Sequence, residues 1–229
     1  MNERVAIIAA LPREVKSLVR GWDTKALPGK VFVYTRGNAV VACAGMGGDR
    51  VALAVQAALA TGPVSSLVSA GLAGACDPAL QVGSIVRAGV VIDTRTGERF
   101  EDSQFRQVLV TAGEIASVEE KARLFASYHA AAVDMEAAAV ARLARGHGLR
   151  FQAIKAISDD AGFELEGLEK FATQDGQFRE GAFALHALSR PPLWSKLIQL
   201  GGNSKRALAA LTDALMDEVL VSRENLEAT

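Results

Sequence analysis

The chain is short of the residues that define several large classes of protein. It has two cysteines, Cys43 and Cys76, in apolar surroundings and without a CxxC spacing. That excludes a disulfide framework and suits buried thiols in a reducing cytosol, so a cytoplasmic location is expected. Its three histidines, His129, His147 and His186, are scattered and form no HExxH-type ligand set, so no metal site is expected. A formal net charge of −1 gives no global attraction to nucleic acid or to an acidic membrane surface. No apolar run approaches the roughly 20 residues of a membrane-spanning helix. The N-terminal run from Val5 to Leu11 is ended by Pro12 and has no basic stretch before it, so no targeting segment is expected.

What the chain does have is core. Half of its 229 residues are hydrophobic and 22% are charged. With no repeat and no low-complexity segment, residues 1–229 are expected to form one domain. Short apolar runs alternate with amphipathic or Ala-rich stretches, the pattern of an α/β fold. Strands are predicted at 5–10, 31–35, 39–44, 64–70, 83–92, 107–111 and 151–157. Helices are predicted at 13–20, 49–60, 117–127, 136–145, 178–189 and 205–220. Arg36-Gly37-Asn38 reads as a hairpin loop, which makes one pair antiparallel and gives a mixed central sheet flanked by helices on both faces. Pro191-Pro192 and Gly201-Gly202 are expected to punctuate a helical C-terminal region. In its last helix Leu208, Leu211, Leu215 and Val219 share one face, for core or partner contact.

The most informative stretch is Val133-Asp134-Met135-Glu136-Ala137, followed later by Ser158-Asp159-Asp160. The first puts carboxylates at the start of an Ala-rich helix, where the dipole favours negative charge. The second puts them just past a buried strand, where open α/β sheets hold ligands. Taken singly, Glu136 reads as an ordinary first-turn acid and Asp159 as a helix cap. Together they describe an acid-lined pocket for a polyhydroxylated, nitrogenous small molecule. Three further segments follow predicted strands. Ala44-Gly45-Met46-Gly47-Gly48-Asp49 either offers backbone N–H groups to an oxyanion, phosphate or water, or is a tight strand-to-helix turn. It has neither the Lys-Ser/Thr pair of a Walker loop nor the third glycine of the dinucleotide fingerprint. Ser69-Ala70-Gly71-Leu72-Ala73-Gly74-Ala75 reads as a second small-residue turn, packing backbone on backbone or forming a floor for a flat ring or a sugar. Pro12-Arg13-Glu14 places Glu14 in a first helical turn, as solvated surface or as part of the pocket.

Glu14, Gly45-Met46-Gly47, Gly71-Leu72-Ala73-Gly74, the Asp134-Met135-Glu136 helix start and the Ser158-Asp159 strand end occur in this order over nearly the whole chain. In this the chain resembles the nucleoside phosphorylase/nucleosidase superfamily. Within it, the chain is similar to the methylthioadenosine/adenosylhomocysteine nucleosidases and to the hopanoid-associated nucleoside phosphorylases. The resemblance implies a nucleoside phosphorylase-like fold, cleavage of the N-glycosidic bond of a purine-type nucleoside, and a homodimer or larger homo-oligomer. It implies no cofactor, with phosphate the one co-substrate to consider. By the same resemblance Asp159 would be the general acid that protonates the leaving base, beside Ser158. Glu136 would hold the ribose hydroxyls with Met135 packed on the sugar, and Glu14 would orient or deprotonate the attacking water. Ala73, Gly74, Ile115 and Ala116 would border the substrate, and Gly45, Met46 and Gly47 would form the anion or nucleophile loop.

The chemistry asks for such groups in its own right. Breaking a C–N glycosidic bond builds oxocarbenium-like charge on the sugar, which carboxylates stabilise. A purine leaves poorly as an anion, so a proton donor is needed at its ring. For Asp159 to carry that proton, burial or a like-charged neighbour such as Asp160 would have to favour its neutral form.

The chain departs from the family pattern at four places. Ser69 stands where many of the phosphorylases have an arginine, so phosphate would fall to Arg13, Arg36, Arg50, Arg87 or the backbone of the 45–48 loop. Ile115 stands where the nucleosidases stack a Phe on the base, which forfeits a ring-stacking contribution of ~0.5–1.5 kcal/mol. Asp134 is one methylene shorter than the nucleosidases' Glu, and segment 93–107 is short, leaving part of the substrate cover to a partner subunit or absent. Pro191-Pro192-Leu193-Trp194 would line a pocket for a large apolar 5′ substituent, or else serve core or dimer interface.

The leading expectation is cleavage of a 5′-modified, adenine-type nucleoside, with hydrolysis slightly ahead of phosphorolysis. A non-catalytic nucleoside-binding protein is the alternative of another class. The presence of all three carboxylates, Glu14, Glu136 and Asp159, favours the enzyme. A dinucleotide-dependent oxidoreductase fails for want of its fingerprint.

Overall fold

The computed structural model describes residues 4–102, 104–163 and 194–227, with side chains of the last segment from 199 to 219. Along these residues run β1 (Val5–Ala9), α1 (Pro12–Val15), β2 (Asp23–Leu27), β3 (Val31–Arg36), β4 (Ala39–Cys43), α2 (Gly48–Leu59), β5 (Ser66–Ala75), β6 (Ile85–Asp93), β7 (Arg99–Glu101), β8 (Gln107–Thr111), α3 (Val118–Tyr128), β9 (Ala130–Asp134), α4 (Ala137–Gly146), β10 (Arg150–Asp159) and α5 (Trp194–Glu227).

The first strand shows why the sheet needs helices on both faces. All five of its residues are buried. Val5, Ile7 and Ala9 face a core with Val15, Leu18, Leu211 and Leu215, while Ala6 and Ile8 face one with Val51, Val55 and Val140. A strand apolar on both sides is stable only between two layers. Here α1 and α5 supply one layer, α2 and α4 the other. The stripe Leu208, Leu211, Leu215 and Val219 is thus core contact.

The sheet is mixed, as expected, but it is not simply open. Strands β2, β3, β4 and β1 lead in order to β5. Residues 66–69 of β5 lie between β1 and β10. The strand then passes through Gly71, whose φ of +152° falls where residues with side chains rarely go, and its end pairs with β9. From β9 the order runs through β8 and β6 to β10, which returns to β5. Five strands therefore close a ring around an alanine-rich core that includes Ala73, Ala75, Ala88, Ala132 and Ala153 with the larger Leu109 and Ile157.

Several expectations need correction. The segment from Ser69 to Ala75 is not a turn: it is the second half of β5, its glycines serving the bend and the close approaches described below. Helix α5 runs straight through Gly201-Gly202. Glycine in a helix interior costs about 1 kcal/mol, an amount the buried leucine stripe offsets. Helix α1 ends at Val15 instead of reaching residue 20. Three strands escaped notice. Strand β2 is an exposed edge, β7 has three residues, and β9 is largely alanine, which has little strand preference of its own. The helix expected at 178–189 and Pro191-Pro192-Leu193 lie outside the described residues, as does the side chain of Trp194. Cys43 and Cys76 are buried free thiols, and burial raises both pKa values, Cys76 to about 12. Among the described residues no helix is long and apolar enough to cross a membrane.

Candidate active site

The C-terminal end of β1 delivers Glu14. Pro12 starts α1, where its missing N–H is no loss. Glu14 then reaches back to accept the Leu11 N–H at 2.9 Å. A Cβ on Gly71 would stand 3.4 Å from Glu14 Oε1 and 3.6 Å from Lys155 Nζ, so the bend of β5 brings bare backbone against a carboxylate and an ammonium. Burial raises the Glu14 pKa, against the Leu11 N–H and the Lys155 charge, which lower it.

Lys155 organises the acids around it. It is 1% exposed and its ammonium lies 2.9 Å from Asp134 Oδ2. Asp134 also accepts the Thr111 hydroxyl at 2.7 Å and the Ala137 N–H at 2.9 Å, while Thr111 Oγ1 accepts the Ala138 N–H at 3.0 Å. The side chain that caps α4 is therefore Asp134, not Glu136. Glu136 makes no cap hydrogen bond and instead accepts the Gly47 N–H at 3.0 Å. Burial, then the Asp134 charge, push the Glu136 pKa up to about 7. Burial alone would lower the Lys155 pKa, but Asp134, Glu136 and Glu14 outweigh it and raise it.

Asp159 is set by an irregularity that the sequence did not reveal. In the β10–β5 ladder Ile157 pairs with Ala73, but Asp159 pairs with Gly74, so Ser158 is the extra residue of a bulge. Such bulges re-aim the side chains that follow them. The carboxylate is turned onto Gly74, where a Cβ would be 2.9 Å from Asp159 Oδ2 and 3.0 Å from Lys121 Cε. Oδ2 accepts from Lys121 Nζ at 2.5 Å, and Oδ1 accepts the Ser158 hydroxyl at 2.7 Å. The expected like-charged neighbour is absent from this arrangement. The Asp160 carboxylate turns away to the Gly162 N–H and a cation sits beside Asp159 instead, so the like-charged neighbour expected to help it keep a proton is replaced by an opposite charge.

Gly71 and Gly74 lie three residues apart on one strand, so the groups packed on them are within about 10 Å along it. Glu14, Asp134 and Glu136 thus gather around Lys155, while Asp159 stands with Lys121 against Gly74 further along the same strand. The other anticipated residues take more varied places. Met46 and Met135 are half-buried beside Gly47 and Glu136 in the chain. Gly45 donates its N–H to the Ala10 carbonyl at 2.8 Å. The Ala73 side chain is in the ring core, and Ser158 is buried with its hydroxyl also 3.3 Å from the Ala73 carbonyl. Ile115 is 44% exposed and, with half-buried Ala116, follows β8. Lys155, Lys121 and Thr111 were missed. Lys155, alone in the apolar run Ala153-Ile154-Lys155-Ala156-Ile157, carried a signal, since a charge in a buried strand must be paired. Lys121 and Thr111 carried none.

Two of the four arginines weighed for phosphate are engaged elsewhere. Arg50 donates to the carbonyls of Ala44 and Gly29, and Arg87 pairs with Glu218 of α5. Arg36 pairs with Ala39, the residue opposite Val5, and so lies at the far end of β1 from Glu14.

The chain matches the family profile of the Phosphorylase superfamily over residues 4–113 and 103–189. Comparison with curated protein sequences finds no match. Among solved structures, the 5′-methylthioadenosine/S-adenosyl homocysteine nucleosidase of Helicobacter pylori is similar with a TM-score of 0.69 at 16% identity, covering 95% of this chain and 98% of that one. Futalosine hydrolase of Helicobacter pylori gives 0.60 at 18% identity over 69% of this chain and 88% of that one. A candidate methylthioadenosine nucleosidase of Weissella paramesenteroides gives 0.59 at 25% identity over 70% and 90%. The family profile spans most of the sequence, and the chain belongs to the Phosphorylase superfamily as one of its enzymes.

Proposed function

We propose that this enzyme hydrolyses the N-glycosidic bond of an adenine-type nucleoside with a modified 5′ position. The carrying observation is that Glu14 and Glu136 surround buried Lys155, while Asp159 stands against Gly74 three residues beyond the bend of the same strand. Glu14, whose burial raises its pKa and so strengthens it as a base, is suited to take a proton from water. Glu136 faces the sugar hydroxyls and, when ionised, the positive charge that grows on the ring. Asp159 gives the leaving base its proton from Oδ1. The substrates named for the similar solved proteins, 5′-methylthioadenosine, S-adenosyl homocysteine and futalosine, are consistent with a nucleoside altered at its sugar.

Water is favoured over phosphate by what occupies the anion loop. The Gly47 N–H already serves the carboxylate of Glu136, Arg50 and Arg87 are bound elsewhere, and Ser69 brings no charge. By family analogy the working unit is a homodimer or larger homo-oligomer.

The test is release of adenine from methylthioadenosine by the purified protein, with and without phosphate. Free sugar formed at equal rates in both conditions supports hydrolysis. Release that depends on phosphate and yields a sugar 1-phosphate overturns it.

A further inference from the structure

We propose that Lys121 is a positioning residue that selects which oxygen of Asp159 meets the base; this rests on Asp159 being the acid. Lys121 projects from α3 and is 3% exposed, although nothing in its helix requires a cation. Its ammonium has three N–H groups, and three acceptors surround it: Asp159 Oδ2 at 2.5 Å, the Asp160 carbonyl at 3.0 Å and the Phe163 carbonyl at 3.1 Å. No donor is left for a substrate, so Lys121 does not bind one. It fixes the end of β10 and the turn after it, and it holds Oδ2 against Gly74.

Oδ1 is then the oxygen left to carry a proton. Among the described residues its partner is the Ser158 hydroxyl, which lies 2.7 Å from Oδ1 and 3.3 Å from the Ala73 carbonyl. A hydroxyl has a single hydrogen and rotates to suit its surroundings. When Oδ1 is ionised, Ser158 donates to it. When Oδ1 carries the proton, the Ser158 hydrogen turns to the Ala73 carbonyl. Transfer of the proton from Oδ1 to the base nitrogen, as the C–N bond breaks, leaves the carboxylate ionised and returns Ser158 to its first state. Lys121 keeps its own protons throughout. Gly74 belongs to the device, since any side chain there would push Oδ2 from its place.

The experiment is steady-state kinetics with methylthioadenosine on the full chain carrying Lys121→Met, Lys121→Arg, Gly74→Ala, Asp159→Asn or Lys121→Met with Asp159→Asn. Displacing a catalytic group by about 1 Å costs on the order of 10²-fold. Lys121→Met is therefore expected to lower kcat about 10- to 100-fold with KM within about threefold, and Lys121→Arg to restore most of it. In the double variant the lysine change should add nothing to the loss from Asp159→Asn. Unchanged kcat in Lys121→Met, or full multiplication of the two losses, overturns the proposal. If Lys121→Met does not fold, as judged by circular dichroism, Gly74→Ala decides: a lowered kcat with little change in KM supports it, and normal kcat overturns it. Wild-type turnover by Asp159→Asn removes the acid assignment and this positioning together. An inactive Asp159→Asn beside a normal Lys121→Met removes the positioning alone.

Discussion

Asp134 and Lys155 form an ion pair of 2.9 Å whose side chains are 0% and 1% exposed. Two charges in that position are costly to desolvate, and the carboxylate of the pair is fully partnered. Thr111 and the Ala137 N–H complete the shell of Asp134, while Glu14 and Glu136 add their charges to the field that holds Lys155 protonated. The pair ties β9, where α4 begins, to β10, which carries Asp159, so the two acidic motifs of the sequence are joined through one lysine.

Lys155→Met should therefore destabilise the protein strongly. Removing one partner of a buried pair leaves the other uncompensated, typically at about 3–5 kcal/mol. Urea unfolding would read this directly, and a loss below about 1 kcal/mol would refute the central role given to the pair. Asp134→Asn combined with Lys155→Met should recover part of the stability, since Asp134 then no longer leaves a charge without its partner.

Stability should also report the state of Glu136. Its pKa is pushed up from 4.5 to about 7 by burial and by Asp134, so the folded state holds a proton that the unfolded state releases. Between those values stability falls as pH rises, and the full penalty of ionisation is present above pH 7. Glu136→Gln keeps an oxygen to accept the Gly47 N–H but carries no charge. With solvent screening at this half-buried group, the gain should be on the order of 1–2 kcal/mol at pH 8 and near zero at pH 4.5. A few degrees in Tm at the higher pH only is the expected scan; an equal change at both values would mean that charge is not the cause.

Asp159→Asn should reduce turnover of methylthioadenosine about 10²- to 10⁴-fold, the usual worth of a placed general acid, while affinity stays within a few-fold. Single-turnover kinetics alongside equilibrium binding separates the two effects. A variant that loses binding and rate in equal measure would make Asp159 a binding residue.

The layers of this fold were legible in the sequence because buried strands such as Ala39–Cys43 are nearly continuous apolar runs, and α2 has its own period. The positions of the acids beside strand ends and helix starts could be read as well, although a helix cap and a site carboxylate look alike there. What the sequence hid was register. The bend at Gly71 and the bulge at Ser158 decide where Glu14 and Asp159 point, and both depend on pairing between strands far apart in the chain. The glycine segment of β5 was misread for the same reason. Its glycines answer to Glu14, Lys155, Asp159 and Lys121, not to a local turn. That Asp134 caps α4 while Glu136 turns to the Gly47 N–H was equally hidden, because either side chain could cap the same helix start.

Glu14 should set the acid side of the pH–rate profile, sharing it with Glu136. Both pKa values are raised, by burial first, so kcat/KM should fall as pH drops well before the ordinary carboxylate range is reached. Two interacting acids titrate as a pair, and the limb belongs to both. Glu14→Gln removes the base and keeps the shape. It should cost about 10²- to 10⁴-fold in kcat and flatten the part of the limb that Glu14 contributes. Full activity in Glu14→Gln would mean that water is deprotonated elsewhere. A lowered rate with the limb intact would give Glu14 a role in orienting the water and assign the limb to Glu136.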